Sequence, residues 1–486
     1  MKKLVISALI ASLPGVALAG GSSTTDELNQ LKAQLAAMQA KVDTLEKQVQ
    51  AQNDALSPDD AAEMKESVAN QQLKVDSLET AATEGPLAGL SVTGYMDPTF
   101  MYNRNSGSSS FEFANRTTSY NYDNSTIGDV YLDIKKTFGQ GPTAPSAEVV
   151  IMPSRGAGTT VLYSEKGQDN SILNSAQITY PLNDQYSIIA GLMAGFGGYD
   201  VLQSNQMVTI THNLLYDFSD PGNFVGAGFT WSHGDWATKF LISNEQNHTR
   251  GNNVATANGT SANNTPTVNG RVDYTYSSAI DLGGSVTLGR QTLPTGSSTS
   301  ATCATGTYGY QCSSTNPYSG FYYGEFDATY NLNDVLLNAE LSYGEQQKAA
   351  FNGGDAEWYG LSLQAHEKWN TASLGRMGAT LRYDYMNDSK NGGGGGTIAL
   401  NGYSQAGVDS ANGWGVNPDC YASNGLSCKG ANRQEVTTDL LFYPTDQLTL
   451  KFEARYDWAS QAVFVRNDGS YGSNNVTIGA QMVYAF

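Results

Sequence analysis

The segment that decides the fold is Asn474 to Phe486, NNVTIGAQMVYAF. Val476, Ile478, Ala480, Met482, Tyr484 and Phe486 share one side of a two-residue period, and Thr477, Gly479, Gln481, Val483 and Ala485 share the other. Period two places each set on its own face of a strand. A strand of this length, tilted, is long enough to cross a bilayer. A buried sandwich strand alternates in the same way, so the rest of the chain has to decide.

The pattern recurs. From Gln447 to Trp458, Leu448, Leu450, Phe452, Ala454, Tyr456 and Trp458 oppose Thr449, Lys451, Glu453, Arg455 and Asp457. An apolar face against a charged one fits lipid outside and water inside. Similar faces run through 322–330, 335–343, 359–365 and 376–385, with weaker ones at 128–136, 146–152, 173–182, 186–195, 223–232, 236–243, 268–275, 279–289 and 434–443. Tight turns (183–185, 233–235, 333–334, 370–371, 445–447) alternate with long Gly/Asn/Ser-rich connections (104–127, 196–222, 244–267, 292–319, 388–430, 460–473). Short turns on one rim and long loops on the other predict an all-β transmembrane fold, an antiparallel barrel of about 16 strands over 87–486.

Composition agrees. The chain has 486 residues, 28 Tyr and 52 Gly, only 15% charged residues and a net charge of −19. No apolar run is long enough for a membrane helix after the N-terminus, and the acidic balance disfavours nucleic acid as a partner. Residues 1–19 read as a signal peptide: Lys2 and Lys3, an apolar core from Leu4 to Leu13, then Ala17-Leu18-Ala19. Export makes disulfides the natural reading of Cys303 with Cys312 and Cys420 with Cys428, although four cysteines allow three connectivities. Zinc is the alternative, but neither pair has C-x-x-C spacing or a neighbouring His.

Between signal and barrel, residues 20–86 predict an α-helical coiled-coil stalk. Leu28, Leu31, Leu35, Met38, Val42, Leu45, Val49 and Leu56 recur at steps of three and four, interrupted at Gln52. Ser57-Pro58 breaks the helix and caps another, whose seam (Met64, Val68, Gln71, Val75, Leu78) is out of phase. Helices packed on their own chain would show the same stripe. Its narrowness favours self-association, with two and three chains both open.

Leu90-Ser91-Val92-Thr93-Gly94-Tyr95-Met96-Asp97-Pro98-Thr99, Tyr102-Asn103-Arg104 and Tyr120-Asn121-Tyr122-Asp123-Asn124-Ser125 carry a family resemblance. So do Pro153-Ser154-Arg155-Gly156, Gly198-Tyr199-Asp200, Thr211-His212-Asn213-Leu214-Leu215-Tyr216-Asp217-Phe218 and Gly226-Ala227-Gly228. From about 90 to 230 the chain resembles a proteobacterial family of uncharacterised outer-membrane porins, catalogued as a domain of unknown function and akin to the β-barrel porins. The resemblance implies the outer membrane of a Gram-negative bacterium, with lipid around the barrel and the stalk in the periplasm. It brings no substrate. Val476, Ile478, Met482, Tyr484 and Phe486 also resemble the terminal recognition signal by which the barrel-assembly machinery takes up such strands. Large porins often associate in threes, so a homotrimer through barrel and coiled coil is the expectation.

His366-Glu367 opens like a zinc-protease helix, but position 370 is Asn. His212, Asp217 and Ser204 could form an acid–base set only if geometry joined them. No enzyme, cofactor or metal is expected. The stronger candidates line a pore: Lys239, Arg271, Arg376, Arg382, Lys451 and Arg455 with Asp129, Asp133, Glu325, Asp327, Glu453 and Asp457. Their opposite charges could equally pair with one another. Segment 196–222, with Tyr199, Leu202, Met207, Leu214 and Leu215, is too apolar for a solvated tip and is expected to fold into the lumen. The function predicted is a passive diffusion channel for small hydrophilic solutes or ions. A barrel-anchored tether or adhesin and an outer-membrane hydrolase are the alternatives.

Overall fold

The computed structural model describes residues 88–113, 127–152, 173–248, 259–293, 317–395 and 413–486, with short pieces between them. The signal segment 1–19, the stalk 20–86 and the Cys303/Cys312 pair lie outside the described residues. The chain divides into two compact units. In the first, residues 1–90 with 137–144, the Thr137 N–H donates to the Gly89 carbonyl at 2.8 Å. The second, residues 91–136 with 145–486, contains the wall and loops described below.

One antiparallel sheet contains eighteen segments. They are β1 (Leu90–Met96), β2 (Thr99–Asn103), β3 (Ser108–Glu112), β4 (Val130–Thr137), β5 (Ser146–Ile151), β6 (Leu173–Pro181), β7 (Tyr186–Met193), β8 (Phe224–His233) and β9 (Trp236–Ser243). Then follow β10 (Thr267–Ser277), β11 (Ile280–Thr292), β12 (Tyr318–Leu332), β13 (Val335–Gln346), β14 (Ala356–Thr371), β15 (Gly375–Asn387), β16 (Asn432–Tyr443), β17 (Leu448–Ala459) and β18 (Asn474–Ala485). β1 and β2 are one strand broken at Asp97-Pro98, where proline withholds a ladder donor. β3 pairs with β2 and β4 with β1, so these two together form the next strand of the wall. The sheet is therefore a closed barrel of 16 strands.

Closure uses the terminal segment. Tyr95 and Met96 pair with Ala485 and Tyr484, and β2 runs along β18 from Thr99/Gln481 to Asn103/Thr477. Gly94 and Phe486 exchange two backbone hydrogen bonds, both 2.9 Å. A β-carbon at Gly94 would collide with the Tyr131 carbonyl and lie 2.9 Å from the Phe486 ring, so this rung requires glycine.

The two-residue period sorts the wall as the pattern requires. Along β14, Tyr359 and Leu363 are exposed while Trp358, Gly360, Ser362, Gln364 and His366 are buried. On β18, Ile478, Met482, Tyr484 and Phe486 face out, and Asn475, Thr477 and Gln481 face in.

Two details differ from the sequence reading. Residues 104–127 are not one loop: a turn at 104–107 leads into β3, whose run of three serines hides the alternation. Asn370 and Thr371 belong to β14, paired with Arg376 and Gly375, and the turn is 372–374.

Candidate functional site

Strand register stacks like charges around the inner wall. Asp327, Glu340, Ser362, Asp384, Glu435 and Asp457 stand opposite one another on successive strands β12 to β17. The adjacent row holds Arg382, Thr437 and Arg455. Carboxylates this close need cations. Arg382 lies 2.7 Å from Glu435 and 3.2 Å from Asp384; Arg455 lies 2.6 Å from Glu435 and 3.1 Å from Asp457; Arg433 lies 2.7 Å from Asp457. None of these six side chains is more than 1% exposed. What removes them from water is a loop.

Residues 194–223, between β7 and β8, enter the barrel. A loop in an enclosed space must find partners for its backbone, and the inner charges supply them. Glu453 accepts the Ile210 and Thr211 N–H groups (2.7 and 2.9 Å) and the Thr211 hydroxyl (2.7 Å). Lys451 donates to the Ser204 and Thr209 carbonyls, Arg382 to those of Thr211 and His212, and Arg455 to that of His212. Leu214 N–H donates to Asp384, Tyr199 hydroxyl pairs with Ser362, and Tyr323 donates to Asp220 at 2.6 Å. One helical turn, α1 (Leu214–Phe218), is capped by Asn213, which accepts the Tyr216 N–H.

Above α1 the described parts of the long loops build an apolar cap. Leu214, Leu215 and Phe218 join one apolar cluster with Phe351, Trp358, Trp414, Val463 and Phe464. Arg433 lies 5.3–5.8 Å from the Phe218, Trp414 and Phe464 rings, tying three loops together. The helix α2 (Pro418–Asn424) joins the cap edge through Tyr421 against Phe351, and Cys420 is bonded to Cys428.

A cavity of about 440 Å³ lies between the loop and the wall from β4 to β10, bordered by Tyr131, Glu148, Gln177, Lys239 and Arg271. Lys239 is exposed, with no hydrogen bond or ion pair among the described residues. Arg271 is held by Asp273, Glu325 and Asp327.

Eleven of the twelve anticipated charges occupy inner-face strand positions, in unequal settings, and Asp129 precedes β4. Arg382, Lys451, Arg455, Glu453 and Asp457 are buried in the loop contacts and ion pairs. Glu325 and Asp327 are buried beside Arg271, and Asp129 is buried with its N–H on the Asp97 carboxylate. Asp133 is half-buried on β4, and Arg376 is exposed at the short-turn rim, 3.9 Å from Asp334. Sequence reading missed Asp97, Glu340, Asp384, Arg433 and Glu435; the polar inner positions of β13, β15 and β16 were the available signal.

The histidine set is not joined. His212 Nε2–H donates to the Val201 carbonyl, while Ser204 donates to Asp97. His212 Nδ1 is 4.0 Å from Asp217, and burial pushes the imidazole pKa down, so it is neutral. Burial pushes the Asp220 carboxyl up to about 7.

No curated protein matches this chain. Among solved structures, the chain is similar to an anion-selective porin from Comamonas acidovorans (10% identity, 82% of this chain and 99% of that one, TM-score 0.46). It is similar to OmpT, an outer membrane protein of Vibrio cholerae (9%, 82% and 97%, 0.43), and to Salmonella typhi OmpF in complex with daunomycin (12%, 82% and 97%, 0.42). From likenesses at this level no activity transfers. The sequence itself is matched at 1–58 and 52–486 by the model of one family, and the chain belongs to that family, described as "Protein of unknown function (DUF3138)".

Proposed function

We propose that this protein is an outer-membrane porin of a Gram-negative bacterium, a passive diffusion channel for small hydrophilic solutes or ions. One observation carries the reading: a closed wall, apolar outside and charged inside, with an infolded loop that leaves a cavity of about 440 Å³ along one side. The mechanism is size exclusion by that loop together with the field of the inner charges. No covalent step is involved, and Ser204 and His212 have other partners. The terminal strand with Val476, Ile478, Met482, Tyr484 and Phe486 would be the segment offered to the assembly machinery. The stalk, its trimeric association and the Cys303–Cys312 bond belong to the same proposal.

The apolar cap built by the loops favours a second reading, a tether or adhesin in which the barrel is an anchor. Planar-bilayer recording of the purified full chain separates the two: discrete conductance steps support the channel, and a silent bilayer supports the anchor.

A further inference from the structure

The twelve anticipated charges are not equivalent, and their burial divides the cross-section of the barrel. On β13 to β17, Glu340, Ser362, Arg382, Asp384, Glu435, Arg455 and Asp457 are at most 1% exposed. The loop backbone is bonded directly to this wall, through Glu453, Lys451, Arg382 and Arg455. Above it lies the apolar cap. Among the described residues, that side is closed by buried side chains bonded to the loop, and water crossing there would have to break those contacts.

The opposite side differs in each respect. The wall from β4 to β6 and from β9 to β10 borders the cavity with Glu148 and Gln177 on one flank and Lys239 and Arg271 on the other. Glu148 is within 3.9 Å of Lys135, and Arg271 is engaged by three carboxylates. Lys239 faces the cavity exposed, with no such partner among the described residues. Among the described basic residues bordering the cavity, its charge is therefore the less compensated.

Resting on the channel reading above, we infer that solute crosses the barrel eccentrically, through the cavity against β4 to β10, and that Lys239 is the residue that sets charge discrimination along it. An ion in a water-filled gap feels an unpaired charge at close range, whereas a salt-bridged charge presents only a dipole. Of the acids that border the same cavity, Asp200 and Asp220 are hydrogen-bonded to the loop backbone and to Tyr323, and charges farther away are screened.

The test is the reversal potential of the full chain in planar bilayers under a potassium chloride gradient, for wild type, Lys239→Gln, Lys239→Glu and Lys368→Glu. Lys368 also occupies an inner-face position, on β14 and over the Tyr443 ring, but on the sealed side. Retained heat-modifiable mobility in gel electrophoresis shows that each variant is folded. The expected result is a rise in the cation-to-anion permeability ratio of roughly fivefold for Lys239→Glu, about half that shift on a logarithmic scale for Lys239→Gln, and less than about twofold for Lys368→Glu. Equal shifts for Lys239→Glu and Lys368→Glu, or a larger one for Lys368→Glu, would overturn the eccentric path while leaving the channel reading intact. A wild-type protein that gives no steps would overturn both.

Discussion

At Glu453 one carboxylate accepts three donors from the infolded loop. Glu453→Leu would leave two backbone N–H groups buried without acceptors, a loss of roughly 3–5 kcal/mol. The expected outcome is a loop cut by protease in folded protein and larger conductance steps. Asp220 adds a pH dependence. Its carboxyl is raised by burial from 3.8 to about 7, so docking binds a proton. The stability it contributes is complete below about pH 4 and is lost as pH rises through 7. Loop proteolysis should therefore accelerate between pH 5 and 8, and Asp220→Asn should flatten that rise. His212, its pKa lowered by burial, acts in the opposite sense, losing its contribution as pH falls below 6.5. The informative quantity is the difference between wild type and Asp220→Asn. From the sequence, period two was enough to place Lys451, Glu453, Arg455 and Asp457 on one face. Their partners were not legible, because those depend on register between strands and on the backbone of a loop more than 200 residues away in the chain.

Among the elements, strands were the most legible and the cap the least. Each strand repeats a two-step pattern, and the loop 194–223 was betrayed by Met207, Leu214 and Leu215, too apolar for solvent. Phe351, Trp414, Val463 and Phe464 have no period and come from three loops, so only coordinates bring them together. Trp414 is fully buried against Phe218, with ring centres 5.4 Å apart. Trp414→Ala should cost roughly 3–5 kcal/mol of cap stability and leave the strands intact. The expected signature is faster amide exchange in 413–431 and 460–473 with unchanged exchange in β13 to β17. Equal loss of protection throughout would mean that cap and wall unfold together.

For the molecule as a whole, the claim that separates membrane from water is the chemistry of the outer face. Leu363 sits outward on β14, 45% exposed, between Leu361 and Ala365. In lipid, Leu363→Arg should cost roughly 2–4 kcal/mol in urea-dependent unfolding from bilayers. A change near zero would place that face in water and remove the transmembrane reading. Gly94→Val tests closure, since its side chain would meet the Tyr131 carbonyl and the Phe486 ring. The expected result is no heat-modifiable species.

The seam carries one more implication. Gln481 donates to Asp97 across 384 residues of sequence, so the two borders that meet there are almost the most remote parts of the polypeptide. Until they join, each border is a row of unpaired amides and carbonyls ready to recruit a stranger. Nascent chains should thus be sticky up to the final moment and inert after it, and a cell lacking an escort for the unzipped ribbon would accumulate it as aggregate rather than as a half-closed barrel.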